Sequence, residues 1–315
     1  LSVFLASLAG VSEILILIAI GYALTAAGWF TDRSSQVIAK LVTQVALPAY
    51  MIVTISSRFT ARELRALLPA LRFPVLSMAV LFGLALLATR LLRVPARHRG
   101  LFQSMFFNSN TVFIGLPVNL ALFGAKSLPY VLVYYMANTT IFWTLGVALI
   151  QRDGPHAARF NWRQTLGKIF SPPLLGFIAG VLLVLLRLRL PAFIMTDLNY
   201  IGALTIPGSM FFIGIAMHQA GLAHLHVDRE LLGVCAGRFV LAPLVMAALI
   251  ALAPVPLMMK QVFILQSAMP VMTNAPVVAK LYGADANNAA ITVTATTLLA
   301  MLVIPLIMVA VQHLG

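Results

Sequence analysis

Two short polar clusters interrupt an otherwise apolar sequence. One reads Asn108-Ser109-Asn110-Thr111, followed by Gly115 and Pro117; the other reads Pro270, then Thr273-Asn274 and Pro276. Amides and hydroxyls are neutral groups that donate and accept hydrogen bonds. A proline lacks the backbone N–H and clashes with the turn before it, so each cluster sits where a helix breaks. A break frees backbone donors and acceptors, and the N-terminus of the second half-helix favours an anion. Asn108, Asn110, Thr111, Thr273 and Asn274 are therefore candidate ligand-binding residues, and Gly115, Pro117, Pro270 and Pro276 candidate helix-break residues. The alternative reading is that these polar groups only hold helices together. Asn138 and Thr139 are assigned to that packing role.

Ionisable residues are few: 8 acidic and 21 basic among 315. Glu13 is the acidic residue well inside an apolar run, which makes it either a proton carrier or an interfacial residue of little consequence. Arg238 also lies inside an apolar run, where it either attracts an anion or satisfies backbone carbonyls. His218, His224 and His226 have no acidic or cysteine partner nearby and read as a solvated loop cluster, not a metal site. The nucleophile elbow, the zinc-protease motif and the phosphate loop are all missing from the sequence. The expectation is a non-enzyme without cofactor or metal.

The elements that must position these residues follow from composition. The chain is 61% hydrophobic and 9% charged, against about 25% charged residues in soluble domains. Roughly 20 apolar residues cross about 30 Å of hydrocarbon. Ten spans are predicted, near 2–27, 36–56, 67–90, 100–123, 127–150, 165–187, 198–218, 230–252, 259–282 and 286–312. The fold class is thus an all-α membrane protein. A transmembrane barrel is excluded, because the apolar runs lack strand alternation. The first run is too long for a signal-peptide core and has no basic segment before it, so it reads as the first span. The single cysteine, Cys235, cannot form an internal disulfide.

The net charge of +13 is read as topology and not as nucleic-acid binding. Loops after odd-numbered spans hold 13 Lys and Arg and those after even-numbered spans hold 8. Basic residues favour the cytoplasm, which places both termini outside. Arg58, Arg62, Arg65 and Arg72, on an even loop, argue the other way.

The sequence also repeats itself. Leu116–Ala125 reads LPVNLALFGA and Ala275–Ala284 reads APVVAKLYGA, with Pro117 and Pro276 lying 159 positions apart. The same offset pairs Pro48 with Pro207, Gly21 with Gly180 and Pro95 with Pro254. Apolar composition alone yields chance matches of Leu and Ala, but not matched Pro and Gly in one register. The repeats divide the chain into 1–155 and 156–315. Five spans per repeat force the second copy into the membrane upside down, and such inverted repeats are a transporter architecture with the substrate near the midplane.

Asn110-Thr111, then Gly115 and Pro117, resembles the fourth-span motif of the auxin efflux carrier family, which includes bacterial organic-acid permeases and the plant PIN carriers. Pro270 followed by Ala279-Lys280-Leu281-Tyr282 resembles its second crossing segment. Gly21-Tyr22, Trp29-Phe30-Thr31-Asp32 and Leu47-Pro48 also fit. The resemblance implies a fold like that of bile-acid and sodium/proton transporters, with spans 4 and 9 crossing at broken midpoints. It implies a scaffold of spans 1, 2, 6 and 7, often dimeric, and an elevator of spans 3–5 and 8–10. It implies small organic anions as substrates, such as malonate or malate. The expected coupling ion is a proton, carried by Glu13, or sodium, held by backbone carbonyls and neutral side chains near a broken helix. Plant carriers have proline where Ser109 stands and a long central loop; here about 15 residues join spans 5 and 6. That points to a permease of a bacterial inner membrane and away from auxin itself. A cation/proton antiporter on this fold needs paired acids inside the membrane, and the spans offer Glu13 alone.

Overall fold

The structure, a computed structural model, describes residues 16–154, 170, 172–220 and 227–312. The described residues form helices and no strand. In chain order these are α1 (Ile16–Ala26), α2 (Arg33–Arg58), α3 (Ala61–Leu91), α4 (Arg99–Phe107), α5 (Thr111–Phe123), α6 (Ala125–Asp153), α7 (Pro172–Leu185), α8 (Ala192–Gln219), α9 (Arg229–Ile250), α10 (Leu257–Ser267), α11 (Ala275–Tyr282) and α12 (Ala286–Gln312). Six of them, α2, α3, α6, α8, α9 and α12, are long and apolar enough to cross a membrane.

Local chemistry sets the boundaries. α3 starts at 61 where the apolar pattern alone predicts 67, because Thr60 and Glu63 form a reciprocal capping box. Each satisfies a backbone N–H that the first turn leaves free. α8 begins after Pro191, six residues before the predicted start. α12 carries Pro305 within a continuous helix. Glu13, His224 and His226, and most of the first predicted span, lie outside the described residues.

The fourth and ninth predicted spans are each two helices. α4 ends at Phe107 and α5 starts at Thr111; α10 ends at Ser267 and α11 starts at Ala275. Pro276 occupies the first turn of α11, where a missing N–H costs no hydrogen bond, and Pro117 follows the π-helical turn Thr111–Gly115 within α5. α5 and α11 both stop at glycines with positive φ, Gly124 at 68° and Gly283 at 74°. These are partners in the sequence repeat.

Small residues let backbones approach. α7 runs along α2, and a Cβ added at Gly176 would lie 2.5 Å from Pro48 Cα. One buried cluster joins Leu47 and Met51 of α2 to Tyr134 of α6 and Phe263 of α10. A second joins Met78 of α3, Phe102 of α4, Val147 of α6 and Val278 of α11. Leu302 and Leu306 on α12 are each 69% exposed, as a lipid-facing surface requires.

Candidate functional site

The two helix breaks meet. Ser109 and Val271 form an antiparallel bridge, and Asn110 N–H donates to the Pro270 carbonyl at 2.8 Å. Non-helical backbone at membrane depth must be satisfied by protein or by a cavity, and here several of these groups have protein partners. Asn138 of α6 accepts from Ser109 N–H at 2.9 Å and donates to the Ser109 carbonyl at 2.8 Å. Thr296 of α12 accepts from Val271 N–H at 3.3 Å. The Asn110 side chain caps α5 by accepting from Phe113 N–H at 3.1 Å.

Arg238 of α9 completes the junction from behind. It is fully buried, and its guanidinium donates to the carbonyls of Met269 at 3.0 Å, Phe106 at 3.4 Å and Ser267. These carbonyls end α10 and α4, where the helix dipoles are negative. The arginine therefore satisfies both half-helix ends at once. It does not line the cavity described next.

Asn110, Thr111, Thr273 and Asn274 all face one cavity of about 370 Å³. It extends from the crossing toward the end of the molecule where α2 and α7 begin, since Lys40 and Pro172 also line it. Asn108 is not on its wall; its amide donates to the Ser104 carbonyl at 3.1 Å inside the packed interior. Gly115 sits one layer behind, where any Cβ would collide with the Gln266 side chain. Gln266 donates in turn to the Thr111 carbonyl at 3.4 Å.

Sequence reasoning found four of the sixteen residues that line the wall and missed the rest. Lys40, Thr43 and Gln44 come from α2, and Tyr135, Thr139 and Trp143 from α6. Thr139 and Asn138 were read together as packing residues; the structure separates them, with Asn138 on the backbone and Thr139 on the cavity. One signal is structural. The cavity is bordered by three widened π-helical turns, Val42–Ala46, Thr111–Gly115 and Phe142–Gly146. Such turns disturb the hydrogen-bond ladder and recur at functional sites.

The wall combines one cation with neutral hydrogen-bonding groups. Lys40 is the one charged residue among the described residues that line it, and it has no carboxylate within ion-pair distance among them. Asn110 Nδ2 and Thr139 Oγ1 are buried with no hydrogen-bond partner among the described residues. An unpaired buried donor costs about 1–3 kcal/mol, so a ligand that takes these bonds is favoured. The α5 and α11 N-termini also start at this wall.

A sequence profile of the family described as Membrane transport protein matches residues 7–308. An uncharacterized transporter of Methanothermobacter thermautotrophicus is 26% identical over 312 residues, covering 96% of this chain and 98% of the relative. An uncharacterized transporter of Methanocaldococcus jannaschii is 25% identical over 302 residues, covering 93% of this chain and 95% of the relative.

Proposed function

The chain belongs to the Membrane transport protein family, the auxin efflux carrier family of its sequence motifs, and on that premise we propose that it is a secondary carrier of small organic anions. The observation that carries this reading is the convergence of Asn110, Thr111, Thr273 and Asn274 with Lys40 on one cavity. A carboxylate accepts hydrogen bonds and carries negative charge. Neutral donors, a lysine and two helix N-termini offer it both complements, with no acidic side chain among the described residues that line the wall.

The architecture in this reading is ten crossings in two inverted repeats of five, α4–α5 and α10–α11 each counting as one broken crossing. The matched prolines and positive-φ glycines at the ends of α5 and α11 support it. α1, α2, α7 and α8 serve as a scaffold, dimeric in the membrane, and the remaining helices slide past it as an elevator. The cavity then opens to the cytoplasm, since the end where α2 and α7 begin also carries the arginine-rich segment Arg90–Arg99. A proton or sodium ion drives the cycle.

A dicarboxylate such as malonate or malate is the first substrate class to test. The size of the cavity, with Phe113, Tyr135 and Trp143 on its wall, supports a second class, monocarboxylates with an aromatic body. Malonate counterflow in proteoliposomes tests the reading without knowledge of the coupling ion. Saturable exchange that Asn110→Ala reduces at least about tenfold supports it. Exchange with unchanged affinity in Asn110→Ala removes the crossing as the binding site. No exchange of malonate, malate or an aromatic acid by correctly folded protein overturns the carrier reading.

A further inference from the structure

The end of α2 and the first turns of α3 carry arginines that the transport site does not use. Arg58, Arg62, Arg65 and Arg72 are exposed at the end of the molecule opposite the cavity mouth. Among the described residues none has a carboxylate within 4.0 Å. The one acid nearby, Glu63, is engaged by Thr60, at 2.8 Å to both its N–H and its hydroxyl. Basic residues on this face also run against the charge bias of the rest of the chain, so topology does not account for them.

Beside Arg65 runs an apolar groove of about 120 Å³ between α3, α6 and α7. Phe177, Val181 and Leu185 form one wall, spaced four residues apart on one face of α7. Val133 and Leu68 contribute from the other side. Leu68 is 66% exposed and Leu185 is 40% exposed, so the groove opens on the outer surface. The stripe from Phe177 to Leu185 rises about 12 Å along the helix. It ends beside the turn that carries Arg187 and Arg189, just past the end of α7. An apolar channel running along α7, with guanidinium groups at its end, is complementary to an amphiphile with an acyl chain and an anionic head.

The geometry points to an anionic phospholipid bound in this groove, its chain against Phe177, Val181 and Leu185 and its phosphate held by Arg62 and Arg65. Guanidinium matches phosphate with two parallel hydrogen bonds. A zwitterionic lipid gains the same apolar contact but brings its own cation against the arginines. Because α7 forms one wall and α3 and α6 the other, the lipid bridges helices that the transport reading assigns to separate moving parts.

Native mass spectrometry of the full-length protein, delipidated and then exposed to phosphatidylglycerol or phosphatidylcholine, tests this. The wild type retains phosphatidylglycerol about tenfold better than phosphatidylcholine. The double variant R62Q/R65Q loses that preference, and Val181→Trp, which fills the groove, loses retention of both lipids with the arginines intact. Helix content by circular dichroism controls for folding. Equal retention of the two lipids by the wild type, or undiminished phosphatidylglycerol retention in both variants, overturns the proposal.

Discussion

The side-chain amide of Asn138 is bound to both backbone groups of Ser109, accepting from its N–H and donating to its carbonyl. One side chain thus stands in for a neighbouring strand at the point where α4 gives way to α5. The bond pattern explains why an asparagine fits here. A carboxylate accepts but does not donate, a hydroxyl is too short to span both groups, and an apolar residue pairs with neither.

Asn138→Leu leaves two buried backbone groups unpaired, at about 1–3 kcal/mol each. The expected outcome is a large fall in thermal stability in detergent. Asn138→Asp, which keeps the acceptor, loses part of the pairing and brings a buried charge. A melting temperature unchanged in Asn138→Leu would show that the crossing does not depend on this pair.

Thr139, one residue on, separates binding from folding. Its hydroxyl is buried and unpartnered among the described residues, so Thr139→Val removes a polar atom that folding does not use. Stability should stay the same or rise, while the apparent substrate affinity in counterflow falls several-fold. A loss of stability with unchanged affinity would assign the hydroxyl to packing instead.

Lys40 is exposed to the cavity, and its replacement should leave the fold intact. Lys40→Gln is expected to weaken anion affinity about tenfold or more, the scale of one charge-assisted hydrogen bond at about 1.5–3 kcal/mol net. Lys40→Glu should abolish exchange of anions. Affinity that survives the charge reversal would remove Lys40 from the site.

Arg238→Lys tests the junction from behind. A lysine keeps the charge but not the fork that reaches Met269, Phe106 and Ser267 together. Breaking such a buried charged contact costs about 3–5 kcal/mol, so the variant should melt well below the wild type. Unchanged stability would show that the guanidinium fork is dispensable.

Gly115→Ala places a methyl against Gln266, and overpacking of this kind costs about 1–3 kcal/mol. Adding Gln266→Ala should recover part of the loss, because the two side chains compete for one space, while the bond from Gln266 to the Thr111 carbonyl is given up. Failure of the double variant to recover would mean that the strain lies in the backbone turn and not in the contact.

The amino-acid sequence alone determined what depends on local chemistry. Runs of apolar residues set the membrane helices, because the length of a hydrophobic stretch must match the bilayer. Pro270 and the clustered amides and hydroxyls of residues 108–111 and 273–274 marked both helix breaks, because prolines and short polar side chains disturb the helix locally. The repeat was legible because Gly124 and Gly283 each have to supply a positive φ, which glycine adopts without steric cost.

Only the tertiary structure decided what depends on which way a side chain faces. Asn108 and Asn110 are two residues apart, yet one packs inward and the other meets the cavity. Asn138 and Thr139 are adjacent, yet one holds Ser109 and the other faces the cavity. Lys40 and Trp143 come to the wall from helices whose own patterns read as apolar spans. A helix position turns about 100° per residue, so widened turns at Val42–Ala46 and Phe142–Gly146 and the rotation of each packed helix choose the face. That choice is made by contacts between elements far apart in the chain, which no local pattern of residue types encodes.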